Sequence, residues 1–379
     1  MQTTSTKTTT GNNTTNVAKG NNNGNNYDMV VFCHLRWDFV YQRPQHIISR
    51  LSKDLRILLI EEPWHRAEEN ESRLTKVSDN LHILQPNVHS IEEIGTVLPQ
   101  YISNKNVGIG WFYSASFVPL LNHFEFGTVV YDCMDELALF KGAPEKLIEQ
   151  EKYLVANADI VFTGGKSLYE SKAQLHDNVH CFPSSVDEAH FAKALNGISV
   201  PEDIANIPGP IVGYFGVIDE RINLELINEI AQLKPDVSFV MIGPLAKIGE
   251  HDLPRQANIH YLGMKDYKEL PGYLKGFNIA MMPFALNDAT KYISPTKTLE
   301  YMAAGKPMIS TAIKDVVRDY SHCVKIVATA EEFSQAIDRT IQDAPDVFMN
   351  FEYSEILKNT SWNATVDKMK TLIKTAAKV

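Results

Sequence analysis

The amino-acid sequence predicts an α/β protein of two doubly wound domains that face each other across a cleft. Three observations predict it: short apolar runs alternate with helical periodicity, the alternation occurs as two separate series, and a polar stretch divides them. Strands alternating with helices build parallel sheets covered on both faces. The length of 379 residues exceeds what one hydrophobic core usually fills, so two cores are the natural expectation.

Residues 1–26 are almost wholly Thr, Asn, Gly, Ser and Lys. Such a tract cannot bury enough apolar area to offset its chain entropy and is expected to be a disordered tail. Order begins at Tyr27. Met29-Val30-Val31-Phe32-Cys33 reads as a buried strand and helical periodicity follows over 45–52. Further strand-like runs fall at 56–60, 81–84, 107–112, 128–131, 160–163 and 179–182, with a helix over 144–156. The pattern then lapses into a Pro- and Gly-containing polar stretch at 191–210, the expected hinge. A second series places strands at 210–215, 238–242, 259–262, 278–282 and 307–310, and helices at 224–233, 267–275 and 295–304. The expected domains are 27–195 and 196–350, each Rossmann-like. Open α/β sheets bind ligands beyond the carboxyl ends of their strands, which makes the cleft the expected active site.

Hydrophobic residues make up 44% and charged residues 22% of the chain, ordinary for a globular protein. The net charge of −10 leaves no excess of Lys or Arg to displace counterions from phosphates, so nucleic acid is not an expected partner. The four cysteines, Cys33, Cys133, Cys181 and Cys323, are scattered without a C-x-x-C pair. Free thiols in a reducing compartment are expected rather than a zinc site or disulfides. No apolar run approaches the roughly 20 residues of a membrane span. The first residues lack an apolar signal core, so the expected location is the cytoplasm.

Ser294-Pro295-Thr296-Lys297-Thr298-Leu299-Glu300-Tyr301-Met302-Ala303-Ala304-Gly305-Lys306-Pro307 is the segment with the strongest candidate chemistry. Ser294 fits an N-cap, Pro295 the first helical position and Gly305 a C-terminal stop. A helix starting there would offer free backbone N–H groups and a positive dipole end to a diphosphate, with Lys297 adding a full charge. Glu300 lies one turn on, where it could accept two ribose hydroxyls. Lys297 and Glu300 at i,i+3 also fit a solvated ion pair, and the residues alone do not decide.

This segment resembles the GT-B glycosyltransferases, specifically the family-four group (glycosyltransferase group 1), whose second domain carries an E-x7-E nucleotide-binding region. Glu300-Tyr301-Met302-Ala303-Ala304-Gly305-Lys306-Pro307 is similar to the second Glu and its continuation, which implies ribose contact for Glu300. The first Glu position holds Tyr292, with Asp288 a candidate substitute. Gly213-Tyr214-Phe215-Gly216-Val217-Ile218-Asp219-Glu220-Arg221 resembles the family's phosphate loop. Gly216 would then let backbone approach a phosphate, and Arg221 would contact it. Ile242-Gly243-Pro244 ends a strand where the family places base-contacting backbone. Together Gly216, Arg221, Gly243, Ser294, Thr296, Lys297 and Glu300 form the expected donor site. Phe182-Pro183-Ser184-Ser185-Val186-Asp187 resembles the turn that closes the family's first domain. Residues 351–379 resemble its closing helix, which crosses back onto that domain and makes Trp362 a core residue.

The first domain opens with His34-Leu35-Arg36-Trp37-Asp38 and Gln42-Arg43-Pro44-Gln45-His46, polar and aromatic residues directly after a strand. They resemble stretches in bacterial surface-polysaccharide glycosyltransferases of the teichuronic-acid type. Arg36, Trp37 and Arg43 are the candidate acceptor contacts; Arg43 and Gln45 would hold the loop or bind substrate, and His46 would cap or pack against the following helix. Tyr131-Asp132-Cys133-Met134-Asp135-Glu136 ends another strand with three carboxylates, which can orient sugar hydroxyls or act as a base. Asp135, His34 and Asp132 are the catalytic candidates, Asp132 with a local capping alternative. Gly164-Gly165-Lys166 fits either a phosphate-facing turn or a plain strand-to-helix turn.

The resemblance implies an enzyme, a nucleotide-sugar-dependent hexosyltransferase of the retaining type, with Tyr292 at the first Glu position leaving an inverting outcome open. Its donor would be a nucleotide-diphosphate sugar and its acceptor a glycan or lipid-linked glycan in surface polysaccharide synthesis. The site of action would be the cytoplasm, with peripheral association at the inner face of the membrane. No metal and no cofactor beyond the donor substrate is expected. The alternatives are a catalytically inactive nucleotide-sugar- or glycan-binding GT-B module and a GT-B epimerase.

Overall fold

A computed structural model describes residues 26–342 and 347–376 of the chain. The expectation of a disordered tail lies outside the described residues for 1–25.

Two sheets form. The first contains β1 (Met29–Cys33), β2 (Ile57–Glu61), β3 (Arg73–Ser78), β4 (Leu81–Gln85), β5 (Asn106–Phe112), β6 (Glu125–Cys133), β7 (Ile160–Thr163) and β8 (Val179–Cys181), in the order β3-β4-β2-β1-β5-β6-β7-β8. All neighbours pair in parallel except β3, which runs antiparallel to β4. The second contains β9 (Ile211–Phe215), β10 (Ser238–Ile242), β11 (Ile259–Gly263), β12 (Ile279–Met282), β13 (Met308–Thr311) and β14 (Lys325–Val327), in the order β11-β10-β9-β12-β13-β14 and wholly parallel.

The apolar runs are continuous because both faces of each central strand are covered. In β1, Val30 and Phe32 join one core while Met29, Val31 and Cys33 join the core on the other face. β3 escaped the sequence reading because it is an exposed edge with the sequence RLTKVS. Its Arg73 and Lys76 are the charges that keep an edge strand from pairing with other chains.

Strand order reverses direction between β1 and β5 in the first sheet and between β9 and β12 in the second. Such switch points open a crevice at the strands' carboxyl ends. His34 follows β1, Asp135 follows β6, Gly216 follows β9 and Gly243 follows β10, so the two crevices supply most of the expected site residues.

The carboxyl-terminal end divides differently from the expected boundary at residue 351. Tyr353 and Leu357, on the helix Val347–Leu357, belong to the second domain's core, and the Tyr353 hydroxyl donates to the Lys306 carbonyl at 3.1 Å. Only the helix Trp362–Ala376 returns to the first domain. There Trp362, Val366, Met369 and Ile373, spaced along one helical face, join Ile47, Ile48 and Leu51. Among the described residues no helix is long and apolar enough to cross a membrane.

Candidate active site

Three cavities run into one another along the cleft. The first, about 430 Å³, is lined by Trp37, Tyr41, Gly216, Gly243, Tyr267, Lys297 and Glu300 among others. It shares Tyr41, Gly216 and Lys297 with a narrow central cavity of about 130 Å³, which adds Arg43, Asp135, Arg221, Ser294 and Thr296. The central cavity in turn shares Met134, Asp135, Val217 and Arg221 with a third of about 580 Å³, walled by Leu35, Ile91, Leu137, Phe140 and Leu147 and reached by His34. A larger cavity of about 760 Å³ lies between the Cys181–Ser185 segment and the C-terminal helix. None of the candidate catalytic, donor-binding or acceptor-binding residues lines it.

On the second-domain side, Lys297 and Glu300 face the junction of the first two cavities. The Lys297 ammonium stands 3.0 Å from a Glu300 carboxylate oxygen and 4.7 Å from the centre of the Phe215 ring. One carboxylate contact leaves two of the three ammonium protons for a ligand. The helix that carries both runs Lys297–Ala303, with Thr296 at its N-cap position. Ser294 is therefore not the cap, and Pro295 is not helical. Ser294 instead lies against Gly165 of the first domain, where an added Cβ would stand 2.8 Å from the Ser294 Cβ. At seven residues the helix has little dipole to offer, and attraction for an anion rests on side-chain charge. Gly305 has φ +63°, as expected for a left-handed helix stop.

Gly216 and Gly243 act by lacking side chains rather than by offering N–H groups. Their N–H groups already donate to the Ile242 and Gly263 carbonyls, both at 2.9 Å. A Cβ on Gly216, whose φ is +146°, would stand 2.6 Å from the Tyr214 hydroxyl and 3.2 Å from Lys297 Cε. One on Gly243 would run into the Gly216 carbonyl. Arg221 reaches the central cavity, but Asp219 grips it: Nε lies 3.0 and 3.1 Å and Nη2 2.7 Å from the carboxylate oxygens. Burial opposes the guanidinium charge, and the Asp219 bonds outweigh it and raise its pKa. Nη1 remains to meet a ligand.

The three carboxylates at the end of β6 part company. Asp132 is fully buried and bound by Arg43, with Nη2 at 2.8 Å and Nε at 3.1 Å. Arg43 Nη1 donates to the Phe182 carbonyl at 2.8 Å. This pair ties β6 to the turn after β8; Asp132 lines none of the three cavities, against its candidacy as a catalytic group, and Arg43 borders the central cavity with most of its donors committed to the pair and the Phe182 carbonyl. Glu136 turns to Lys172 at 2.8 Å. Asp135 alone faces the cleft, where the central and third cavities meet. Burial raises its pKa above the ordinary aspartate range, and Arg221 opposes that rise. His34 lines the third cavity with a buried Nδ1 that has no hydrogen-bond partner among the described residues, and burial holds its pKa down at about 4. Among the described residues no group of three or more His, Cys, Asp or Glu side chains is arranged to hold a metal ion.

Two acceptor candidates sit elsewhere than expected. Arg36 bonds Glu61 at 3.1 Å and the Glu62 and Pro63 carbonyls, and lines none of the three cavities. Trp37 borders the first cavity, not the third. Of the two roles open to Gln45 the structure shows the loop contact, its amide donating to the Trp37 carbonyl at 2.9 Å. Residue reading missed Tyr41 and Tyr267, whose rings meet at 4.7 Å over the first cavity. The Tyr267 hydroxyl is buried without a hydrogen-bond partner among the described residues. An isolated Tyr in a loop carries no sequence signal for such a role.

Residues 209–343 match the sequence family described as glycosyl transferases group 1. The chain is also 26% identical over 249 residues to a Bacillus subtilis (strain 168) protein named as a teichuronic acid biosynthesis glycosyltransferase, TuaH; the match covers 59% of this chain and 62% of that one. In structure the chain is similar to an E. coli protein named for trehalose-6-phosphate and solved with UDP-2-fluoro glucose, at TM-score 0.68 and 11% identity, covering 91% of this chain and 98% of the other. It is similar to sucrose-phosphate synthase from Thermosynechococcus elongatus at TM-score 0.67 and 14% identity, covering 92% and 98%. An Anabaena protein, HepE, solved with UDP and glucose, aligns at TM-score 0.62 and 12% identity, covering 92% and 99%. By sequence, residues 209–343 carry a glycosyl transferases group 1 domain, and by architecture the chain has the GT-B fold.

Proposed function

We propose that the protein transfers a sugar from a nucleotide-diphosphate donor to a glycan or lipid-linked glycan acceptor in surface polysaccharide synthesis. The observation that carries the reading is the continuity of the three cavities, with Glu300 and Lys297 at one junction and Asp135 at the other. The nucleoside fills the first cavity, with its ribose at Glu300. The diphosphate fills the central one, its charge met by Lys297 and Arg221, so no cofactor is assigned; unchanged turnover in EDTA is expected. The acceptor enters the third, whose apolar walls suit a lipid-linked or amphiphilic molecule. The similarity to TuaH supports a polysaccharide product.

Asp135 accepts a hydrogen bond from the attacking hydroxyl and orients it. Because Asp135 also borders the diphosphate cavity, the acceptor approaches from the side on which the leaving group departs. That supports retention of configuration, as does fold similarity to a trehalose-6-phosphate synthase described as transferring with retention. NMR of the anomeric product tests it.

Tyr292 favours the second reading, an inactive binding module. It stands where the family's first Glu is expected and packs against the first domain's core instead. Hydrolysis of labelled nucleotide sugar without acceptor separates enzyme from module. Calorimetry tests the donor site itself: UDP or GDP should bind, and Glu300→Ala should weaken that binding by about 1.5–3 kcal/mol, the range for hydrogen bonds to a charged group. Equal affinity in the variant would sink the assignment.

A further inference from the structure

Behind the cleft, the first domain holds a buried ionic cluster with no part in the chemistry above. Lys172 ends the helix Lys166–Lys172, is 2% exposed, and places its ammonium 2.8 Å from both Glu136 and Glu151. The Tyr131 hydroxyl donates to Glu151 at 2.6 Å, and the Cys133 thiol lies 3.8 Å from the same oxygen. Burial opposes the charge on Lys172, and the carboxylates of Glu151 and Glu136 outweigh it and keep the ammonium charged. Apolar side chains of similar volume would fill the space without taking three charges out of water, so stability alone is a poor reason for the cluster.

Its position supplies another reason. Glu136 directly follows Asp135. No described side chain hydrogen-bonds the Asp135 carboxylate, so the backbone of its loop must set its direction. That backbone is held at three points. The Cys133 thiol reaches the Asp135 carbonyl at 3.6 Å, Gly164 lets the Met134 carbonyl approach so closely that a Cβ would stand 2.8 Å from it, and Lys172 anchors Glu136. The helix bearing Lys172 is itself gripped by the second domain. Asp315 accepts from the Ser167 N–H at 3.2 Å and from its hydroxyl at 2.5 Å, in the helix's first turn. One short helix thus connects the second domain to the loop that presents Asp135.

We propose that Lys172 and Glu136 are positioning residues that fix the Asp135 carboxylate at the junction of the diphosphate and acceptor cavities, a role that rests on the catalytic reading of Asp135. A misplacement of about 1 Å in a reacting group can cost 10²-fold in rate, so a rigid tether one residue away has a large effect available to it.

The test is a double-mutant cycle on turnover of the nucleotide sugar that a donor panel identifies. Lys172→Met would leave two buried carboxylates without a cation and is a poor probe. Glu136→Gln keeps shape and leaves the Lys172–Glu151 pair intact. Glu136→Gln should lower kcat about tenfold or more with donor KM and UDP or GDP affinity within twofold, and should cost nothing further in an Asp135→Asn background. Hydrogen exchange gives a readout independent of turnover: amides of 133–140 should exchange faster in Glu136→Gln, with the second domain unchanged. Wild-type turnover or wild-type exchange in Glu136→Gln, or a loss that adds to that of Asp135→Asn, overturns the positioning role and leaves the catalytic reading standing. Full turnover in Asp135→Asn overturns both.

Discussion

A guanidinium that commits Nε and Nη2 to one carboxylate and Nη1 to a carbonyl has little left for a substrate. Arg43 is in that state, 4% exposed, with Asp132 at 0%. Removing one partner leaves the other charge buried and uncompensated, which costs about 3–5 kcal/mol, whereas replacing both by apolar groups is often neutral. Arg43→Met should lose roughly that much in urea titrations, and Arg43→Met with Asp132→Leu should recover most of it while keeping nucleotide affinity. A stable Arg43→Met would show that the pair carries no structural load. The neighbouring cations behave differently. Lys297 and Arg221 keep donors in reserve, and a leaving diphosphate gains charge as its bond to the sugar breaks. Each replaced by Ala should lower kcat on the order of 10²-fold, by more than it raises donor KM. Rates within a few-fold of wild type in steady-state kinetics would make both surface charges and move the diphosphate elsewhere.

Among elements, those with strong periodicity were legible and those decided by neighbours were not. The helix Leu224–Leu233 was readable to the residue because Asn223 caps it, accepting from the Leu226 N–H at 3.0 Å, and its apolar face repeats cleanly. The helix at Lys297 began later than its Ser-Pro start signals, because Ser294 is held against Gly165 of the other domain. The aromatic contacts behind the cleft were not legible as a set. His46 stacks on Trp362 at 4.6 Å and meets Tyr267 at 5.6 Å, and Tyr267 stacks on His190 at 4.3 Å, rings that no local pattern links. Burial holds the His46 pKa down at about 3, with Arg50 adding to the effect, against an unfolded value near 6.5. A folded pKa below the unfolded one means that the unfolded chain takes up the proton first as pH falls. The stability from neutral His46 is thus complete above pH ~6.5 and is lost progressively toward pH ~3, by ~2–3 kcal/mol between pH 7 and 4.5. His46→Phe should flatten the stability curve over that interval by about this amount. An unchanged slope in denaturant melts at each pH would mean that the ring is solvated.

At the scale of the molecule, the two sheets and their crevices were foreseeable from alternation alone, but the way the domains hold each other was not. Beside the aromatic contacts of Tyr41 and His46 with Tyr267, they meet through a cluster of ion pairs. Glu170 of the first domain receives Lys314 at 2.9 Å and Arg318 at 2.5 Å, and Lys166 reaches Asp319 at 2.5 Å. At the centre of this clamp Asp315 of the second domain, 2% exposed, caps the first turn of the helix Lys166–Lys172 and also accepts from Arg318 at 2.6 Å. Residues so far apart in sequence give no sign that one domain will cap a helix of the other. Exposed ion pairs are screened by salt and contribute little, while a cap is worth about 0.5–2 kcal/mol. Asp315 should therefore dominate the clamp. Polar domain contacts of this kind permit relative motion by default. Asp315→Ala should release the domains without unfolding either. Small-angle scattering should show a larger radius of gyration than wild type at low salt, and on the proposed donor site, in a cavity lined by Lys297 and Glu300 of one domain and Tyr41 of the other, added nucleotide should restore it. Identical scattering from variant and wild type would place the restraint elsewhere, in the aromatic contacts of His46 and Tyr41 with Tyr267.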